Sequence, residues 1–75
     1  MQAVLGTVVR AERLRRKWSQ EDLAGEAGLN RSYLTDLENG RRTPNLGTLM
    51  QLAQALGMET SELISAAEKR PQARR

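Results

Sequence analysis

Residues 19–40 read SQEDLAGEAGLNRSYLTDLENG. Ser19 is a helix-capping residue, and Asp22 follows three positions later, beside first-turn N–H groups that have no helical partner. Glu21 and Asp22 complement the positive end of the helix dipole. Leu23, Ala24 and Ala27 give the helix one apolar stripe. Gly28 supplies a position where positive φ costs little, as a sharp turn requires. Leu29 then plugs the turn into the core, and Asn30 caps a second helix. Leu34 and Leu37 face inward from that helix, leaving Arg31, Ser32, Thr35 and Asp36 on other faces. Gly40 ends it. The spacing predicts two short helices joined by a tight turn, the second with a polar first turn. Such a unit offers a helix end to the major groove of DNA. Two helices this short do not hold together alone, so the flanking segments must pack on them.

The flanks read as helices too. Ala3 to Lys17 forms the first, with Leu5, Val8, Val9 and Leu14 as an imperfect stripe. Trp18 anchors the junction as a core plug. Arg41 to Asn45 is a loop broken by Pro44. Asn45 caps a fourth helix, Leu46 to Leu56, whose Leu46, Leu49, Met50, Ala53 and Leu56 recur at helical spacing. Gly57 closes it. Thr60 caps a fifth helix from Ser61 to Glu68, with Leu63 and Ile64 apolar and Pro71 as the stop. Alternating strand patterns and long repeats are absent. The expectation is an all-α, compact five-helix bundle over residues 1–68, with a basic flexible tail at 69–75.

Seventy-five residues allow one domain, near the lower limit for an ordinary core, so packing is efficient or shared with a second subunit. The absence of cysteine and histidine excludes a disulfide framework and removes the common zinc ligand sets, so no metal and no cofactor is called for. Only scattered carboxylates, serines and lysines remain for catalysis, and the reading is not an enzyme. No apolar run approaches about 18 residues, which argues against a membrane span. The first residues place apolar before basic, the reverse of a secretory signal. The expected location is the cytoplasm, on the nucleoid when bound to DNA. The net charge of +3 is less telling than it looks. Residues 1–68 hold eight basic and nine acidic side chains, a net of −1. Only clustering makes a DNA face: Arg13, Arg15, Arg16 and Lys17, then Arg41 and Arg42. The alternative is that these are ordinary solvated charges.

Five pieces, VVRAER, WSQEDLA, EAG, DLENGRR and TPNLGTLMQLAQALG, stand in this order and spacing. Together they make the chain resemble the lambda repressor/Cro-like helix-turn-helix family, also called the XRE family, over roughly residues 5–64. The resemblance implies that Gln20 contacts the DNA backbone or a base from the start of the second helix. It implies that Arg13 pairs internally with Glu38 and is structural. It also places Ser32 at a base-reading position and Tyr33 where family members touch phosphate. Glu12 departs from the pattern, since many members carry an apolar residue there. In size the chain is similar to restriction–modification controller proteins, small phage or plasmid repressors, and antitoxins.

The candidate base contacts are therefore Arg31, Ser32, Thr35 and Asp36. Arg31 suits the O6 and N7 acceptors of guanine, the other reading being a phosphate contact. Ser32 pairs with any base. Thr35 either meets a thymine methyl or faces solvent. Asp36 accepts from cytosine N4, repels wrong sites, or holds Arg31 or Arg16; the intramolecular role is expected. The candidate phosphate contacts are Gln20, Tyr33, Asn39, Arg41 and Arg42, with Tyr33 equally readable as a half-buried core ring. One such unit spans too few base pairs for genomic specificity, so a homodimer on a palindromic operator is expected. Its interface is expected among Met50, Leu56, Met58, Leu63 and Ile64, most of which alternatively fill the monomer's own core. The expected partner is double-stranded DNA, with no small-molecule effector evident. The competing class, an antitoxin or protein-interaction module, predicts binding that survives loss of Arg31 and the basic loop.

Overall fold

Capping side chains and left-handed residues set most helix boundaries. In the computed structural model, which describes residues 2–69, five helices follow in order: α1 (Gln2–Arg15), α2 (Gln20–Ala27), α3 (Arg31–Glu38), α4 (Leu46–Ala55) and α5 (Thr60–Lys69). No strand occurs among the described residues. Ser19 and Asp22 form a reciprocal capping box on α2, and the Asn30 and Asn45 side chains cap α3 and α4. Gly28, Gly40 and Gly57 adopt φ of 70°, 76° and 71° just past α2, α3 and α4. Lys17 does the same work after α1 at φ 58°, a conformation that costs a non-glycine residue about 1 kcal/mol. The Trp18 N–H closes that turn on the carbonyl of Arg13.

Thr60 does not cap α5 but begins it. The cap lies one residue earlier, where the Glu59 N–H donates to the Glu62 carboxylate at 2.8 Å. Lys69 closes the helix instead of starting a tail; residues 70–75, with Pro71, lie outside the described residues.

One core runs through all five helices. Val9, Leu23, Leu34, Leu37, Leu52, Leu56 and Leu63 are its largest fully buried side chains. Helix α1 packs on α3 and α5, α2 packs on α3 and α4, and α4 packs on α5. Helix α3 is therefore gripped by α1 and α2 while its outer face stays open. Leu29 and Trp18 are half-buried and lie against this core.

Two expected stripes need correction. Leu14 is exposed, because it follows Val9 by five residues, about 140° round the helix. Leu46 and Met50 are 63% and 53% exposed; Leu52, Ala53 and Leu56 form the inward face of this segment, with Leu49 half-buried. Leu56 and Leu63 in turn fill the protomer's own core at 2% and 0% exposure, so they are removed from the expected dimer surface.

Gly6 is the tightest contact between helices. A Cβ there would stand 2.2 Å from the Leu37 carbonyl oxygen and 2.9 Å from that of Glu38. Helix α1 thus crosses the end of α3 backbone to backbone, a reason for glycine inside a helix. Gly6→Ala is expected to destabilise the fold by about 3 kcal/mol, read by denaturant unfolding, since a backbone carbonyl cannot step aside as a flexible side chain can.

Candidate nucleic-acid interface

The turn that aims α3 is built from three residues. Gly28 reverses the chain, and the Leu29 N–H donates to the Ala24 carbonyl at 2.8 Å. Asn30 accepts from the Ser32 N–H at 2.8 Å. The first turn of α3 then emerges with Arg31 and Ser32 exposed and Thr35 half-buried. These three and the half-buried Asp36 line one shallow surface hollow. At the other end of α3 the Arg41 N–H returns to the Asp36 carbonyl at 2.8 Å. Exposed Asn39, Arg41 and Arg42 follow the helix there.

Loosely held charges surround the hollow. Asp36 lies 3.7 Å from Arg41 and 3.9 Å from Arg42, so it serves neither Arg31 nor Arg16. Arg31 lies 3.9 Å from Glu21. Exposed pairs of this length contribute about 0–1 kcal/mol and yield readily to a phosphate or a base. Tyr33 is half-buried against the core, and the Arg42 guanidinium sits 5.2 Å from its ring centre. The ring is thus both a packing element and a platform for the exposed Arg42 cation.

Most of the basic run at residues 13–17 is engaged within the fold. Arg13 is buried. Arg15 and Arg16 both pair with Glu12, at 3.0 and 2.9 Å. Arg16 also donates to the Leu56 carbonyl, tying the end of α1 to the end of α4. Glu12 carries an acid where an apolar residue was the family expectation because it organises these two arginines. Their spacing of three and four residues from Glu12 was the available sequence signal.

Beneath α3 lies the buried pair. Arg13 donates from Nε to Glu38 Oε2 at 2.8 Å and from a terminal nitrogen to Oε1 at 3.0 Å. Its other terminal nitrogen donates to the Trp18 carbonyl at 2.8 Å. Gln20 adds a third helix to this contact, with Nε2 donating to Glu38 Oε1 at 3.1 Å. The Thr35 hydroxyl lies 3.0 Å from Gln20 Oε1. Gln20 is therefore half-buried and engaged on its inner side, a role that the reading of an exposed helix-start residue missed.

Residues 9–63 match the profile of the helix-turn-helix family, and the chain belongs to that family, of the Cro/C1 type. It is 43% identical over 61 residues to an HTH-type transcriptional regulator, y4dJ, of Sinorhizobium fredii, covering 79% of each chain. Among solved structures it is similar to the restriction–modification controller protein C.AhdI from Aeromonas hydrophila, with a TM-score of 0.80 and 39% identity over 83% of this chain and 94% of that one. It is also similar to the controller protein C.Esp1396I, solved as a tetramer on its natural 35 base-pair operator. There the TM-score is 0.77 and the identity 25%, over 91% of this chain and 95% of that one.

Removing Glu38 leaves the Arg13 guanidinium buried without its carboxylate. Glu38→Ala is expected to cost about 3–5 kcal/mol in urea unfolding. A loss below about 1 kcal/mol would mean that water reaches the guanidinium freely.

Proposed function

We propose that this chain is a sequence-specific transcriptional regulator that inserts the first turn of α3 into the major groove. The observation that carries this reading is the hollow formed by Arg31, Ser32, Thr35 and Asp36 at the open face of a helix gripped from behind. Arg31 reads guanine; Ser32, Thr35 and Asp36 tune the neighbouring positions. Gln20, Tyr33, Asn39, Arg41 and Arg42 flank the hollow and take the phosphates. The complex of C.Esp1396I with its operator supports the same use of this scaffold here.

The working unit is a homodimer on a palindromic operator, and the chain serves as a restriction–modification controller or a small repressor. The exposed apolar pair Leu46 and Met50, one helical turn apart, forms the centre of the subunit contact, with half-buried Met58 and Ile64 beside it.

Selection of bound sequences from a random duplex pool, with the mass of the complex measured at physiological salt, tests this function. An enriched two-fold site carrying two chains supports it. Binding without enrichment that vanishes as salt rises contradicts it. On the selected site Arg31→Ala is expected to lose about 1–3 kcal/mol and relax one base pair. The Arg41→Ala/Arg42→Ala variant instead weakens all sequences together and lowers the salt slope by about 2. Met50→Asp is expected to leave a folded chain that sediments as a monomer at concentrations where the parent is a dimer.

A further inference from the structure

The Thr35 hydroxyl sits in the hollow but is tied to the interior through a chain of side chains whose every link has one permitted direction. Arg13 can only donate, and the Glu38 carboxylate facing it can only accept. The Gln20 amide must therefore turn its nitrogen to Glu38, at 3.1 Å, which leaves its oxygen 3.0 Å from the Thr35 hydroxyl. The other neighbour of that hydroxyl is the Arg31 carbonyl, also at 3.0 Å. Both neighbours are acceptors, and the hydroxyl has one proton. The proton stays inside. Toward any third partner the Thr35 oxygen therefore offers a lone pair and no proton.

We propose that Thr35 is an acceptor-only specificity residue. It takes a hydrogen bond from the exocyclic amino group of adenine or cytosine and rejects the keto oxygen of guanine or thymine, which would face its lone pair. Adenine and cytosine both present such an amino group in the major groove, so the residue separates amino from keto base edges. Ser32 and Arg31 have no such constraint from behind. The buried ion pair thus fixes the sense of the Gln20–Thr35 contact, so that both neighbours of the hydroxyl are acceptors. This inference rests on the DNA-binding function proposed above and adds to it which base edge Thr35 recognises.

The experiment carries the parent chain, Thr35→Ser and Thr35→Val through the same random-pool selection and compares base frequencies position by position. The parent and Thr35→Ser should favour an amino base over a keto base at one position of the site by about 5-fold, the worth of one net hydrogen bond. Thr35→Val, which keeps the shape and loses the oxygen, should lose that preference at that position alone. Guanine or thymine favoured there would overturn the proposal, because Thr35 would then be donating. So would a Thr35→Val site identical to the parent's. A Thr35→Val variant that binds every sequence equally less well would assign Thr35 a structural role only. No enriched site for the parent chain would overturn the DNA-binding function itself, and this inference with it.

Discussion

The Arg13–Glu38 pair is the constraint on which the rest of this structure depends. Bringing two charges out of water costs several kcal/mol per ion, and their attraction offsets that only with near-ideal geometry and further hydrogen bonds. Both conditions are met. The two groups face each other through two parallel hydrogen bonds of 2.8 and 3.0 Å. The Trp18 carbonyl and the Gln20 amide take up further valences. Three helices are joined in one polar contact: α1 through Arg13, α2 through Gln20 and α3 through Glu38. No apolar contact would fix their relative rotation as tightly, because dispersion is not directional.

That rigidity matters because α2 and α3 have only eight residues each. Helices of that length have little stability of their own. Their caps hold the ends, Gly28 sets the turn, and Gly6 lets α1 close directly on the backbone of α3. The outer turn of α3 is thereby presented in a fixed orientation, while the cations around it rest on loose pairs with Glu21 and Asp36. Rigid backbone and loosely held charge make a surface already shaped for its target, with cations available on arrival.

Much of this was legible in the sequence, for local reasons. Ser19, Asn30, Asn45, Gly28 and Gly57 act within a few residues of themselves, so the helix boundaries they set could be read directly. The hollow at Arg31, Ser32, Thr35 and Asp36 also followed from one helical period. What escaped depended on distant partners. Gly6 carried no signal in the sequence, since its reason lies in the carbonyls of Leu37 and Glu38. Arg16 read as part of a basic patch because its Leu56 partner is 40 residues away. Leu56, Leu63 and Met50 carry similar apolar side chains, and only the crossing of α4 with its neighbours decides that the first two are core and the third is surface. Gln20 read only as a contact to DNA because its inner partners, Glu38 and Thr35, come from α3.

A buried pair of this kind adds little net stability over an apolar replacement, so its weight falls on orienting the reading helix. Replacing it whole, as Arg13→Met/Glu38→Leu, removes both charges together and avoids stranding either one. Urea unfolding of this variant, with the ratio of its affinities for the selected site and for random duplex, tests the claim directly. Stability within about 2 kcal/mol of the parent is expected, with a reduced affinity ratio whose loss is concentrated at the base pair under Thr35. A variant that unfolds as readily as Glu38→Ala, or one that keeps the full affinity ratio, would contradict it.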